Sequence, residues 1–493
     1  MVFFAAKNFV PIPNKDIASW IFDDPQYDRD EPIYIDAKDP SRSLSLSQAQ
    51  TVVQKLVAGL HAAGMSKGDS AAKECGIPQS NIWIFDVLGQ SLPGGFKSWN
   101  ELLKQGEKNW ERFDDEKTCK ETTAARLFSS GTTGLPKAAM LSHHNFISQH
   151  TLVYAYSRKP YRIRRVLCLP MFHAACVPVA HTSCLKMGQI AVVMRRFDLE
   201  GFLSCLEKFD INEIGIVPPI AIAIFMSPLT KNYSLKGLRY VTTGGAPLGR
   251  ESQERFRKLL APNAIVVQVW GMTEMSCIAS QFYWPEDDNT GSVGRIIPNC
   301  DAKIIDEHGN DISAHDTLGE LCIRGPVVVK GYFENPKANA EAFDSEGFFK
   351  TGDIVSCSSK DKKWYILDRK KELIKVRGFQ VAPPELETVL LSHPQIVDAA
   401  VIGVKIRGVR DGDTGEDVEH PRAYVVRRPG EEGQKLDETA VKKHCGERLA
   451  KYKELTGGVR FVDTIPKNAS GKILKRILRE QVKAEQDGEK ARL

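Results

Sequence analysis

No stretch of this 493-residue chain is apolar for long enough to cross a bilayer as a helix. The longest apolar run, IGIVPPIAIAIFM at 214–226, is short and carries two prolines, so it reads as buried core. No charged leader followed by an apolar run opens the chain: MVFFAAKNFVPIP is brief and broken by proline, and secretion is not expected. Neither a C-x-x-C pair nor a Cys/His cluster at zinc spacing occurs among the 11 cysteines. Their odd number and their scatter from Cys75 to Cys445 predict reduced thiols in an intracellular protein, with Cys168, Cys176 and Cys184 as core filling. Charge of one sign is scarce too, the net being only +5. The basic excess lies in residues 360–493, with 29 Lys and Arg against 22 Asp and Glu, and suits polyphosphate ligands. Without interleaved aromatics it gives no ground for expecting nucleic acid as a partner. No internal repeat is visible.

What is present is an ordinary globular composition, 42% hydrophobic and 26% charged, at a length that implies two or more domains. AIVVQVW (264–270), ELCIRG (320–325) and AAVIGV (399–404) read as strands, while 251–260 and 437–455 carry helical patterns. Strands alternating with helices predict α/β layering. Asp301–Phe333, turning at DEHGND, reads as β-hairpin structure, and a helix is expected to begin at Pro384 and Glu385. A domain boundary is expected near 367–387, and the charged tail after Arg479 is expected to fray.

The chemistry is concentrated in SSGTTGLPKAAMLSHHNF, residues 129–146. Ser129, Ser130, Thr132 and Thr133 supply hydroxyl donors, and Gly131 and Gly134 let backbone N–H groups approach a ligand. Lys137 adds a mobile charge, and Ser142 can cap a helix starting near His143. All of this favours an anion. The stretch is not a nucleoside-triphosphatase P-loop, because only two residues separate its glycines and no Gly-Lys-Ser/Thr ending follows. It resembles instead the phosphate loop of the acyl-adenylate-forming (AMP-binding) superfamily, and further motifs follow in that family's order. They look closest to those of 4-coumarate and medium-chain acyl-CoA ligases.

That resemblance implies a role for each motif. In LPMFHAACV, His173 would lie beside the acyl pocket; TTGGAPL would form the adenine-side loop with Gly245, Ala246 and Pro247. In QVWGMTE, with Gly271, Trp270 would stack near adenine, Thr273 contact phosphate and Glu274 hold Mg²⁺, for which a carboxylate oxygen is a suitable hard ligand. Asp353 of KTGD and Arg369 of DRKKE would hold the ribose, and Lys371 would be the hinge. Lys375, Gly378 and Gln380 would serve the thioester half-reaction, and Lys472 of PKNASGKILKR would bridge carboxylate and α-phosphate. The acyl pocket would be lined by Phe172, Cys176, Thr242, Gly245, Cys277 and Ile278 beside His173, an apolar set that fits an aryl or medium-chain acid and fits a dicarboxylate poorly.

The implied protein is an ATP-dependent acid:CoA ligase with ATP, Mg²⁺ and coenzyme A as cofactor and co-substrates and a small carboxylic acid as substrate. Its implied fold has a large amino-terminal AMP-binding domain (1–367) of βαβ layers with a small β-barrel, and a hinge (368–371). A mobile α+β lid (372–480) and a tail (481–493) complete it. One departure stands out: after LHAAGMSKGD, a segment found in relatives is missing between Ser70 and Ala71. A non-catalytic, ligase-like remnant that binds nucleotide or a partner is the competing reading, and the intact Lys137, Glu274, Asp353, Arg369 and Lys472 argue against it. The final Ala-Arg-Leu resembles a peroxisomal address, which makes a peroxisomal import receptor an expected partner; otherwise the location would be cytoplasmic.

Overall fold

Six parallel strands and one antiparallel edge strand form the central sheet of the computed structural model, which describes residues 3–65, 82–86, 90–129, 136–376, 379–410, 417–468 and 471–490. Across the sheet lie Ile265–Gln268, Tyr240–Thr243, Glu213–Ile216, Arg164–Leu167, Ile190–Val193, Pro32–Asp36 and Ser43–Ser45. Alternation along these strands divides the sheet into two faces. Val166, Val192, Ile214, Val241 and Val266 point to one face and pack with Phe202, Ile224 and Phe256 from the helices Leu199–Lys208, Pro218–Met226 and Arg250–Arg257. The apolar run at 214–226 is thus the end of one strand followed by a buried helix that starts at Pro218. No helix among the described residues is long and apolar enough to cross a membrane.

The opposite face is divided. Leu167 and Ala191 are covered by one apolar cluster and Ile265 and Val267 by another, and the middle strands between them open onto a cavity. Cys168, Cys176 and Cys184 are buried in these cores, as expected, and Cys176 also touches the cavity.

The hairpin expected at Asp301–Phe333 forms from Asp301–Ile305 and Gly319–Arg324 and grows into a four-stranded antiparallel sheet with Phe349–Cys357 and Trp364–Arg369. Together with the three-stranded sheet Trp270–Met272, Cys277–Gln281 and Arg295–Ile296 it encloses one core around Ile304, Leu321 and Val355. Beyond the turn at 370–373 the chain builds a separate α+β layer. Strands Ile396–Arg410 and Asp417–Arg427 pair antiparallel, and Val459–Phe461 joins in parallel. Leu386 and Leu390 of the helix Pro383–Leu391 cover one face of that sheet, and Leu478 and Val482 of the helix Lys475–Lys490 cover the other.

Two expectations of extent fail. The helical pattern at 437–455 yields only Glu438–Gly446, because Gly446 weakens the helix and a short 3₁₀ turn, Lys451–Lys453, follows a break. The tail expected to fray after Arg479 continues the helix Lys475–Lys490, anchored by its apolar stripe and by the ion pair of Arg479 with Glu372. The Ser70–Ala71 junction, Ser130, Gly131, Thr132, Thr133, Gly134, Gly378 and the terminal Ala-Arg-Leu lie outside the described residues.

Candidate active site

A cavity of about 750 Å³ lies between the open face of the sheet, the β unit and the carboxy-terminal layer. Its position follows from topology, since ligands of parallel α/β sheets bind beyond the carboxyl ends of the strands. The strands Thr123–Ser129 and Lys137–Ser142 bracket the phosphate-loop sequence and place Ser129 opposite Lys137, both on the cavity wall. After them Ser142 caps the helix His143–Gln149 through the Asn145 N–H at 3.1 Å, as the sequence predicts.

Glu274 is buried on the same wall. The Tyr332 hydroxyl donates to its Oε1 at 2.8 Å, and the ammonium of Lys137 sits 5.1 Å from the Tyr332 ring centre. Burial, followed by the adjoining carboxylate, raises the Tyr332 phenol well above its ordinary value, so it stays a donor. Tyr332 thus orders both the carboxylate and the lysine, a role the motifs did not signal because it lies at the end of a hairpin read only as β structure. A carboxylate has about four acceptor sites, so Glu274 retains capacity for a cation.

Thr273 and Gly271 line the cavity, but Trp270 does not. Its indole is buried beneath the wall and donates from Nε1 to Asp353 Oδ2 at 2.8 Å, whereas stacking on a flat base was expected. The adjoining Gly271 lets the strand press against its neighbour, since a Cβ there would stand 1.7 Å from the Cys277 carbonyl oxygen. Asp353 is held on its other side by Arg369, Nε to Oδ1 at 3.4 Å. Burial raises its carboxyl pKa, against the pull of Arg369, Trp270 and Lys472. Asp353 itself stays behind the wall formed by Thr351, Gly352 and Arg369.

From the carboxy-terminal layer the loop around Lys472 enters the cavity. Asn468 fixes the loop, its Oδ1 accepting the Lys472 N–H at 2.9 Å. Gly471, at φ +81°, lets the backbone close on the large domain, since a Cβ would meet Val217 at 3.3 Å and Pro219 at 3.4 Å. Burial, then the adjacent Arg369 guanidinium, lowers the Lys472 ammonium to about 8. Burial and Lys472 also lower His173, which lines the cavity and whose Nδ1 accepts the Ala175 N–H at 3.1 Å. Cations crowded in this way create a local demand for an anion.

The remaining expected residues divide. Cys176, Thr242, Gly245, Cys277, Ile278 and Lys371 line the cavity; Ala246 and Pro247 are exposed and do not. Phe172 does not join the acyl wall: its ring is 74% exposed, turned outward from the helical turn that buries Cys176. Lys375 and Gln380 are exposed on the hairpin Ile374–Val376/Phe379–Val381 and away from the cavity. The acyl cavity is also not free of charge, contrary to expectation, because it continues past Thr242 to Arg165, Glu213 and Lys159.

Comparison with known proteins agrees with this geometry. The family model "AMP-binding enzyme" matches residues 90–333, and "AMP-binding enzyme C-terminal domain" matches 385–472. An acyl-CoA ligase, azaF, of Aspergillus niger is 46% identical over 97% of this chain and 100% of its own. A phenylacetyl-CoA ligase, epaB, of the same species is 46% identical over 97% and 99%. The azaF alignment runs over 542 positions, more than the 493 residues here, so that relative carries residues without a counterpart in this chain. Among solved structures, the anthranilate CoA ligase AuaEII in complex with anthranoyl-AMP shares the fold at a TM-score of 0.80, with 18% identity, over 97% and 99% of the two chains. With both family models matching in order and ligases 46% identical along nearly its whole length, the chain belongs to the AMP-binding enzyme family and is an AMP-forming acid–thiol ligase.

Proposed function

We propose that the protein activates an aryl or medium-chain carboxylic acid as its acyl-adenylate and transfers the acyl group to coenzyme A. The observation that carries this reading is the convergence of Lys137, Glu274, Arg369 and Lys472 on one end of a cavity whose middle is lined by Cys176, Thr242, Cys277 and Ile278. A carboxylate approaching a triphosphate brings negative charges together, and preorganised cations stabilise the charge that develops in transfer. Lys472 would bridge the attacking carboxylate and the α-phosphate, and Lys137 would hold the outer phosphates. Burial, then the nearby Arg369 guanidinium, depresses the Lys472 ammonium, and a bound anion opposes both, so nucleotide binding would strengthen its hold on the proton.

Mg²⁺ would be held by Glu274 and would offset phosphate charge. No group of three His, Cys, Asp or Glu side chains gathers among the described residues, which suits an ion that takes its other ligands from phosphates and water. Asp353, held by Trp270 and Arg369 behind the wall at Gly352, would accept hydrogen bonds from the ribose hydroxyls once Arg369 turns aside to expose it. Residues 368–371 would act as the hinge between a domain of residues 1–367 and a lid of 372–480. With Lys472 inside and Lys375 and Gln380 outside, the arrangement suits adenylation; rotation about the hinge would bring the second set inward for thioester formation. Incubating the protein with MgATP, coenzyme A and aryl and medium-chain acids should give AMP and an acyl-CoA detectable by mass spectrometry. A folded sample that binds ATP and forms neither would support the remnant reading. Peroxisomal import through Ala-Arg-Leu is a further part of the proposal: a fluorescent fusion should be punctate with the tripeptide free, and a fusion that stays diffuse would contradict it.

A further inference from the structure

We propose that the acid carries a second acidic group at the end remote from its reacting carboxylate, received by Arg165 and Lys159 at the floor of the acyl cavity. This rests on the ligase reading above and names its substrate class more closely.

Strand register carries the argument. Thr242 pairs with Gly215, and two residues earlier Tyr240 pairs with Glu213, which in turn pairs with Arg165. Side chains two apart on a strand share a face, so Arg165, Glu213 and Tyr240 form a row beneath Thr242 and Gly215 on the open side of the sheet. The offset is two residues, or ~7 Å. Gly215 keeps the passage open, for the nearest atom a Cβ would meet is Thr242 Oγ1 at 3.4 Å. All five residues line the one cavity that also holds His173 and Lys472. An acid with its reacting end near Lys472 therefore runs down the sheet and ends at this row.

The row has cationic capacity to spare. Arg165 Nη2 reaches Glu213 Oε2 at only 3.4 Å, while the Tyr161 hydroxyl occupies Oε1 at 2.9 Å. Arg165 Nε has no partner among the described residues, although its side chain is only 12% exposed. Lys159 adds a second positive charge, 4.0 Å from the Tyr240 ring centre, and among the described residues it donates to the Ser157 carbonyl at a long 3.5 Å. Two cations thus face one carboxylate in a part-buried place, where unused donors are costly. A guanidinium presents a planar fork of donors matched to a carboxylate. Gln189, on the same cavity, has an unpartnered side-chain oxygen; its amide can turn to present N–H instead.

The test is acid-dependent ATP–pyrophosphate exchange with matched pairs: octanoic against octanedioic acid, and a phenylpropanoic acid with and without a para carboxylate. In the wild-type protein kcat/KM should favour each diacid by at least ~10-fold, the scale of one charge-assisted hydrogen bond. The double variant Arg165→Met/Glu213→Gln, which removes one charge of each sign, should bring the diacid-to-plain-acid ratio of kcat/KM towards one in protein that still melts cooperatively, and an unchanged ratio overturns the proposal. Equal or better use of the plain acids by the wild type overturns the proposal, as does a preference for a hydroxyl-terminated acid over the diacid. If no acid supports exchange, the ligase reading fails separately. Thermal shift with the same pairs then decides: greater stabilisation by the diacids supports the proposal, and equal shifts overturn it.

Discussion

On the proposed reading the chemistry depends most on Asp353, held by Trp270 and Arg369 from other motifs, and on Lys472, whose loop is fixed by Asn468 and Gly471 of its own motif. Trp270→Phe keeps an aromatic ring and removes the indole N–H from a buried carboxylate, a loss of ~1.5–3 kcal/mol for a bond to a charged group. We expect the melting temperature to fall and KM for ATP to rise; an unchanged KM for ATP would disconnect Asp353 from nucleotide binding. Lys472 gives a pH signature. Its ammonium is depressed from 10.5 to about 8, so it is charged below pH 8 and loses its proton as the pH rises through that value. The fold favours the neutral amine, so its contribution to stability grows between about pH 8 and 10.5, opposite to the trend in activity. The free-enzyme kcat/KM for adenylation should therefore fall above about pH 8, and Lys472→Arg, slower at all pH values, should lack that fall. Gly271→Ala would place a Cβ 1.7 Å from the Cys277 carbonyl, an overpacking that costs at least ~1–3 kcal/mol. A calorimetric melt should show it.

At the scale of elements, the loop that carries Lys472 is seated by Gly471. Gly471→Ala combines a left-handed φ of +81° with contacts to Val217 and Pro219, so it should unseat the loop. Exchange of pyrophosphate should slow, whereas conversion of a supplied acyl-adenylate to the thioester should be little affected; equal loss in both steps would mean a general defect. Elements also explain what the sequence concealed. Short motifs with polar and glycine punctuation were legible because their chemistry is local: Ser142 capping its helix, Lys137 closing its loop, Lys472 after Gly471. The charged row was not, because Glu213 lies far along the chain from Lys159 and Arg165 and meets Arg165 only through parallel strand register. Trp270 was misplaced for the same reason, its partner Asp353 arriving from another sheet. Phe172 shows the limit of reading a pocket from neighbours of a histidine, since adjacent residues on a turn face different ways.

For the whole molecule, the order of motifs conveyed the α/β body and the separate carboxy-terminal layer, and it conveyed family membership, because most of the motifs sit on different elements around one cavity. The segment expected to be missing after Ser70 was read only by resemblance; the family model matches from residue 90. The motif residues given roles here all lie after that junction, so the account holds that the chemistry survives it. The most direct measurement is ATP–pyrophosphate exchange on purified, folded protein across a panel of acids, with Lys472→Ala in parallel. Exchange that depends on the acid and drops by ~10²- to 10³-fold in the variant is the predicted result; no exchange with any acid, from protein that melts cooperatively and binds ATP, would contradict it.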